Sequence, residues 1–395
     1  MAERARLCQC GLPQGAGAGL DPGAHGALPG RGGPSLRIGG MSSWPLVTPA
    51  LALTVLASGL AWPGSAVLLG VAALALVGAV IAAVHHAEVV AHRIGEPYGT
   101  LVLAVAVTVI EVALILSMML AGGPDKATLP RDTIFSAVMI ICNGVVGICL
   151  LAGGLRHREQ SFRVEGTGSG LAALVALATL SLVLPTFTTS SPEGTYTDAQ
   201  LAFVAASSLA LWAVFVFVQT VRHRDYFLPE SRPDDEAAHA TPPTPQQAWT
   251  SFGLLLLALV GVVGLAKLLS PSIEAAVAAA QAPKTVVGIA IAMLVLAPET
   301  WAAVRAARAN RLQTSMNLAI GSALASIGLT IPAVVAAAVW LGLPLTLGLE
   351  KKDMALLVLT FVVGAITLGS GRTNVMQGAV HLVIFAAFLF LALVP

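Results

Sequence analysis

Charged residues are scarce in this chain: Asp, Glu, Lys and Arg make up 10% of 395 residues, whereas 56% are hydrophobic. A soluble domain carries about 25% charged residues, so too little polar surface is present to cover a water-facing protein. The net charge of +1 gives no argument for a nucleic-acid partner. Four cysteines provide no disulfide framework, since Cys8 and Cys10 lie in an irregular tail and Cys142 and Cys149 in an apolar run.

Several motifs of nucleotide-driven and hydrolytic proteins are also missing. No GxxxxGK[ST] phosphate loop occurs, so we expect no nucleotide partner. HExxH and GxSxG are absent, which speaks against a membrane-embedded protease or lipid-modifying enzyme. We therefore expect a protein that is not an enzyme and needs no cofactor. A channel stays open as an alternative, and saturable proton-coupled flux would distinguish the two.

Apolar runs of transmembrane length recur from Trp44 to the C-terminus. About 20 apolar residues cross the hydrocarbon core, and by that measure the sequence predicts an all-α polytopic membrane protein with about eleven transmembrane helices. Their predicted ranges are 45–61, 63–84, 97–120, 133–155, 168–187, 199–221, 249–269, 284–304, 317–341, 354–370 and 376–394.

The chain divides into unequal segments. Residues 1–40 are rich in Gly, Pro and Arg, so we predict a disordered extension, with a misplaced start codon as the other interpretation. Residues 41–62 are predicted to form an extra transmembrane helix. An acidic, Pro-rich cytoplasmic linker at 222–248 separates two five-helix repeats, 63–221 and 249–395. Because five is odd, the second repeat is expected to run inverted relative to the first, as in inverted-repeat transporters.

The distribution of Lys and Arg predicts the orientation, since cytoplasmic loops carry the excess of positive charge. With a cytoplasmic N-terminus, 11 basic residues after position 40 fall inside and 6 outside. The inside residues are Arg93, Arg156, Arg158, Arg163, Arg222, Arg224, Arg232, Arg305, Arg308, Arg311 and Arg372. The outside residues are Lys126, Arg131, Lys267, Lys284, Lys351 and Lys352. We therefore predict a multi-pass protein of the bacterial inner membrane.

Two carboxylates lie deep inside predicted spans, where each charge costs about 2.5–3.5 kcal/mol or more. Glu111 and Glu299 occupy the second helix of each repeat, and the opposed helices let both reach a shared site at the midplane. Ser136 follows the first by 25 residues and Ser322 the second by 23. Pro298 removes a backbone donor next to Glu299, so we expect a freed carbonyl and a kink there.

This set of groups predicts a site shared by a metal cation and protons. Carboxylates, freed carbonyls and hydroxyls are the hard oxygen ligands that calcium prefers. The same carboxylates, buried without a cation, are expected to hold protons instead. The alternative is that Glu111 and Glu299 only hydrogen-bond neighbouring helices. Matched positions in inverted halves favour the functional interpretation.

Two stretches resemble the alpha-repeats of the calcium/proton exchangers in the cation/calcium exchanger superfamily. They are 87–115, AEVVAHRIGEPYGTLVLAVAVTVIEVALI, and 293–335, MLVLAPETWAAVRAARANRLQTSMNLAIGSALASIGLTIPAVV. HRIGEPYG, LAPE and GRTNVMQGAVHLVIFAAFLF (371–390) are most similar to the bacterial sodium–calcium/proton antiporter branch. The resemblance extends from residue 41 onward.

The resemblance implies roles for particular residues. Glu111 and Glu299 match the essential cation- and proton-binding glutamates, and Glu88 an acidic residue at the cytoplasmic mouth. Ser136 and Ser322 match the small hydroxyl position of the following helix.

The sequence departs from the superfamily pattern Gly-Asn-x-x-Glu. Val107 and Thr108 precede Glu111, and Val295 and Leu296 precede Glu299, so two side-chain amides are missing. The departure puts calcium selectivity in doubt and leaves room for sodium or potassium. We retain the Thr108 hydroxyl among the candidate binding groups.

The polar residues after the second predicted helix are expected to form a solvated, pH-sensitive vestibule, with a plain interfacial anchor as the alternative. They include His85, His86, Glu88 and Glu96. Asn143 is expected to make a helix–helix hydrogen bond, and His381 to belong to an interfacial cap.

Taken together, the residues and the resemblance predict a secondary active antiporter. It would extrude calcium, with sodium and potassium as further candidate ions, in exchange for protons by alternating access. The alternative is a sodium or potassium/proton antiporter with little calcium activity.

Overall fold

Long helices dominate the molecule, as the apolar runs predict. The computed structural model describes residues 37–38, 41–62, 64–95, 98–192, 194–228, 243–281, 283 and 285–394. The α-helices are α1 (Ser43–Ala61), α2 (Ala66–Ile94), α3 (Tyr98–Gly122), α4 (Leu129–Met139), α5 (Val146–His157), α6 (Val164–Ala178), α7 (Asp198–Phe217), α8 (Pro245–Ala279), α9 (Thr285–Arg308), α10 (Leu312–Leu341), α11 (Lys351–Gly369) and α12 (Val375–Leu393).

Three spans of the first half contain a π-helical segment. Ile140–Val145 joins α4 to α5, so that one span runs from Leu129 to His157. Thr179–Val183 extends α6 and Val218–Arg222 extends α7. Within the described ranges, eleven helices are long and apolar enough to cross a membrane. The predicted all-α polytopic fold with eleven spans is confirmed.

Several helices extend beyond their predicted ends. α2 continues ten residues past position 84, so His85, His86 and Glu88 lie within the helix rather than after it. α8 also continues ten residues past position 269, to Ala279. Hydropathy marks where a chain leaves the bilayer, whereas a helix ends where its backbone hydrogen bonds are capped. The sequence prediction therefore located the spans well and the helix ends poorly.

Most of two predicted irregular segments lies outside the described residues. Of residues 1–40, only Arg37–Ile38 is described, as a strand (β1) paired antiparallel with Met41–Ser42 (β2). Residues 229–242 of the predicted linker are likewise not described. The described flanks of that linker are helical, because a 3₁₀ turn covers Arg224–Tyr226 and α8 begins at Pro245.

Helices of the two halves pack against each other in a reciprocal pattern. α2 packs on α8, the first helix of the second half. α3 packs on α10, and α4 and α5 pack on α9 in return. α10 packs on α7, and α5 packs on α12. The second helix of each half therefore packs on the third helix of the other half.

A short sheet joins connections from the two halves. Gln160–Ser161 (β3) follows α5 and pairs antiparallel with Arg372–Thr373 (β4), which precedes α12. Asn374 then caps α12, since its Oδ1 accepts from the Met376 amide at 2.9 Å. Together these contacts fix the end of the bundle at which α5, α7 and α9 finish.

Asn143 bridges three helices in the membrane interior. Its Nδ2 donates to Thr360 Oγ1 of α11 at 2.9 Å, and its Oδ1 lies 3.2 Å from His381 Nδ1 of α12. The other ring nitrogen of His381 lies 3.1 Å from Thr367 Oγ1. The helix–helix bond predicted for Asn143 is thus present. His381, predicted to belong to an interfacial cap, is buried in the second turn of α12 and takes part in this network.

The extra helix α1 is attached to α2 through a carbonyl that its own sequence leaves free. A helical carbonyl accepts from the amide four residues later, and Pro49, which has no N–H, occupies that position relative to Pro45. His86 Nε2 donates to the Pro45 carbonyl instead, at 3.0 Å, and the imidazole is fully buried. Trp44 and His85 pack beside this bond, with ring centroids 5.5 Å apart.

We expect His86→Phe to lower the thermal stability of the detergent-purified protein, because the buried Pro45 carbonyl loses its donor, at a cost of about 1–3 kcal/mol. In a Pro49→Ala background the amide of residue 49 supplies that donor, so the same substitution should cost less. A double-mutant cycle of unfolding free energies measures the difference. Equal destabilisation in both backgrounds would contradict the assignment.

Candidate functional site

A cavity of about 410 Å³ lies between α3, α7, α9 and α10 and has both Glu111 and Glu299 on its wall. It extends from the first turns of α3 and α10 to the middle of the bundle. Its lining combines apolar side chains with the hydroxyls of Thr108, Ser322 and Ser326. The shared position of Glu111 and Glu299 is the geometry that the inverted arrangement of the two halves produces.

Glu111 is almost completely buried in the middle of α3 and is bound by hydroxyls of α10. Ser326 Oγ donates to its carboxylate, at 2.8 Å from Oε1 and 3.0 Å from Oε2. Thr330 Oγ1 donates to Oε2 at 3.0 Å. Because both donors belong to the other half of the chain, this carboxylate connects the two repeats at the middle of the bundle.

Glu299 has fewer side-chain hydrogen bonds than Glu111 among the described residues. It follows Pro298 within α9, and the helix continues through both residues. Its Oε2 atom is buried and has no hydrogen-bond partner among the described residues. The charges of Glu88 and Glu111 both act on this carboxylate. A carboxylate that has one oxygen without a hydrogen bond and lies near a second carboxylate can bind a proton or a cation.

The difference between the two glutamates follows from the sequence of the third helix in each half. Ser326 and Thr330 lie four and eight residues after Ser322, on one helical face. The corresponding positions after Ser136 are Ile140 and, with the extra residue of the π segment counted, Val145. The first half therefore has no hydroxyls to offer Glu299 from equivalent positions.

Sequence reasoning identified Ser322 and missed Ser326 and Thr330. The signal was available, since Ser322, Ser326 and Thr330 recur at intervals of four within NLAIGSALASIGLTIP. Ser136, the predicted counterpart of Ser322, is buried and donates to the Asp132 carbonyl of its own helix. It is not part of the cavity wall, where the neighbouring Ala137 lies instead.

Thr108 lies on the cavity wall one turn before Glu111. Its hydroxyl donates to the Ala104 carbonyl at 2.9 Å, which leaves its oxygen lone pairs as acceptors. It can therefore serve as an oxygen ligand without losing that bond. The structure thus brings Glu111, Glu299, Thr108 and Ser322 to one cavity, as the sequence predicts.

The predicted vestibule residues are arranged differently. Glu96 lies outside the described residues. His85 and His86 are not on the cavity wall but face α1, because helix α2 continues through them. Glu88 is exposed on α2 and remains within electrostatic reach of Glu299 and Arg305. Of the predicted vestibule set, Glu88 alone retains a connection to the paired acids in the described structure.

A turn next to the linker forms the rim of the cavity. Phe227 and Leu228, which follow the turn Arg224–Tyr226, line its mouth. Asn317 of α10 donates its side-chain amide to the Phe227 carbonyl. The Phe227 ring meets Phe215 of α7 edge-on, with centroids 5.8 Å apart. The rim is therefore fixed to both helices that border the mouth.

The opposite path from Glu111 is closed by apolar side chains. Leu114 and Met118 of α3 and Ile331 and Val334 of α10 are each no more than 2% exposed. They lie between the carboxylate and the far ends of these helices. The cavity therefore reaches the glutamates from one end of the bundle, the end at which α5, α7 and α9 finish.

Known proteins resemble this chain over most of its length. The family model described as sodium/calcium exchanger protein matches residues 64–221 and 250–394. The chain is 50% identical to the candidate ionic transporter y4hA of Sinorhizobium fredii over 84% of this chain and 90% of that protein. It is 37% identical to the sodium-potassium/proton antiporter ChaA of Escherichia coli, over 87% and 94% respectively.

A solved structure shares the fold. The crystal structure of the Ca²⁺/H⁺ antiporter protein YfkE aligns with a TM-score of 0.67 at 14% identity, covering 89% of this chain and 99% of that one.

We expect Ser326→Ala and Thr330→Val each to raise the apparent KM for the transported cation by roughly tenfold, because a hydrogen bond to a charged group contributes about 1.5–3 kcal/mol. Initial transport rates against cation concentration in proteoliposomes measure the effect. Thr220→Val is the matched control, since Thr220 lines the same cavity and donates its hydroxyl to the Val216 carbonyl rather than to Glu111. An equal loss in all three variants would contradict a specific role for Ser326 and Thr330.

Proposed function

Because the chain belongs to the sodium/calcium exchanger protein family, we propose that it is a secondary active antiporter that exchanges calcium for protons at Glu111 and Glu299. The family contains cation/proton and cation/calcium antiporters, and the choice of calcium rests on the chemistry of the site. The single observation that carries the proposal is the position of both carboxylates on the wall of one cavity inside the helix bundle.

Charge balance supports a divalent cation. Two ionised carboxylates in a site of low dielectric carry two negative charges, which one Ca²⁺ or two protons neutralise equally. Four carboxylate oxygens and the hydroxyls of Thr108, Ser322 and Ser326 supply hard ligands of the kind that calcium prefers. Exchange of one Ca²⁺ for two protons then leaves the charge of the occupied site unchanged.

The distribution of charge supports an inward-open state. The cavity mouth lies at the end of the bundle that carries Arg156, Arg222, Arg224 and Arg308. Excess basic charge marks the cytoplasmic side of bacterial inner-membrane proteins. We therefore infer that the N-terminus is cytoplasmic and that the structure represents the state open to the cytoplasm.

The transport cycle follows from this arrangement. Calcium enters from the cytoplasm past Glu88 and binds between Glu111 and Glu299, which release their protons. The two halves then rearrange and the cytoplasmic mouth closes. The apolar side chains of α3 and α10 that close the opposite path from Glu111 move apart. Calcium leaves outside, and protons return inward on the same carboxylates. The proton gradient supplies the driving force, so neither nucleotide nor cofactor takes part.

A sodium or potassium/proton antiporter is the second candidate. The 37% identity to ChaA, named as a sodium-potassium/proton antiporter, favours it. Leu296, three residues before Glu299, also has no side-chain oxygen, which lowers the number of ligands available to calcium. In this alternative one ionised carboxylate holds the monovalent cation while the other stays protonated.

We expect Glu111→Gln and Glu299→Gln each to abolish cation/proton exchange, because an amide can neither release a proton nor supply the second negative charge. Dequenching of a pH-gradient dye in everted vesicles measures the exchange. Glu165→Gln is the matched control, since Glu165 is an exposed carboxylate in the first turn of α6, outside the cavity. Exchange that persists in Glu111→Gln would refute the site.

The same vesicle assay separates the two candidate functions. Calcium is expected to dissipate the pH gradient at lower concentration than sodium or potassium. A response to sodium or potassium with no response to calcium would replace the calcium proposal with the monovalent one. Either outcome leaves the requirement for Glu111 and Glu299 testable on its own.

A further inference from the structure

A second cavity, of about 310 Å³, lies where the last turns of α5 and α9 meet. Three arginines line it: Arg156 from α5, and Arg305 and Arg308 from α9. The remaining lining consists of Trp301, Val304 and Ala309. The volume is at the lower end of the range of small-ligand sites, about 300–1,000 Å³. This cavity is separate from the one that contains the paired glutamates.

The two helix ends that form this cavity are fixed to each other. His157 Nε2 donates to the Arg308 carbonyl at 3.0 Å, and Gln160 Nε2 donates to the Ala307 carbonyl at 3.0 Å. Arg156 is therefore held beside the arginines of α9. The grouping belongs to the folded structure, because residues some 150 positions apart in sequence create it.

Arg156 and Arg308 have no carboxylate partner among the described residues that would explain them as internal ion pairs. Both side chains are exposed. Arg305 acts electrostatically on Glu88. Basic residues in the last turn of a helix also complement its dipole, which accounts for their charge but not for the cavity between them.

An exposed stripe of side chains along α9 changes from apolar to basic toward the C-terminal end of the helix. Met293 and Trp301 are 49% and 68% exposed, and Arg305 and Arg308 follow on the same face. The order is apolar, then aromatic, then basic. A phospholipid presents the complementary order from acyl chain through the interfacial region to phosphate, and Trp side chains favour the level of the headgroups.

From these observations we propose that Arg156, Arg305 and Arg308 bind the phosphate of an anionic phospholipid whose acyl chains lie along the exposed face of α9. Guanidinium groups bind phosphate oxygens in a bidentate manner, and basic pockets between transmembrane helices bind anionic lipid headgroups. The apolar and aromatic continuation of the stripe favours a lipid over a soluble phosphate. The proposal is independent of the ion that the protein transports.

Native mass spectrometry of the full-length protein in detergent, titrated with phosphatidylglycerol or phosphatidylcholine, tests this site. We expect phosphatidylglycerol to bind the native protein, and to bind the Arg156→Gln/Arg308→Gln variant at least about tenfold more weakly. Arg222→Gln/Arg372→Gln is the matched control, because it removes two exposed arginines from the same end of the bundle but outside the cavity. The control is expected to bind phosphatidylglycerol as the native protein does.

Three results would overturn the proposal. The first is unchanged binding of phosphatidylglycerol by the Arg156→Gln/Arg308→Gln variant. The second is equal binding of phosphatidylcholine. The third is displacement of phosphatidylglycerol by inorganic phosphate at comparable concentration, which would identify a site for soluble anions. Thermal unfolding in mixed micelles of detergent and phosphatidylcholine shows whether the variant is folded. Arg308→Lys, which keeps the charge, provides a second variant if it is not.

Discussion

A carboxylate in the middle of a membrane-spanning helix has no water to solvate its charge, so the protein has to supply partners or a counter-ion. Glu111 obtains partners from Ser326 and Thr330, which belong to the opposite half of the chain. The arrangement of the four central helices follows from that requirement. α3 has to meet α10 at mid-depth, and the inverted repeat brings α9 to the same cavity.

The two halves satisfy this requirement unequally, and the inequality gives the site its chemistry. A fully symmetric site would surround both acids with hydroxyls and leave neither ready to change its occupancy. The third helix of the first half instead supplies Ile140 and Val145, which have no hydroxyl, and Glu299 keeps a buried oxygen without a partner among the described residues. One acid is therefore held in place while the other stays available to protons and cations.

Sequence patterns were sufficient for the spans and for the paired acids, because both depend on local hydropathy and on residue types that are costly in a membrane. They failed for Ser136 and for the histidines of α2, whose roles depend on tertiary contacts. Ser136 bonds its own backbone, and His86 binds a carbonyl of α1 that is free only because Pro49 follows four residues later. Neither bond leaves a periodic signal, although the four-residue spacing of Ser322, Ser326 and Thr330 would have identified the hydroxyls that Glu111 uses.

The π-helical segment Ile140–Val145 has a consequence for the evolutionary comparison of the two halves. A π turn accommodates one residue more than an α turn, and each residue advances an α-helix by about 100°. An alignment of the fourth span with α10 therefore needs a one-residue gap within this segment, or every later position is matched to the wrong face. Asn143 lies within this segment and bonds α11 and α12. One residue inserted into one repeat would therefore change which side chains of that span face the neighbouring helices, while the other repeat keeps its original faces.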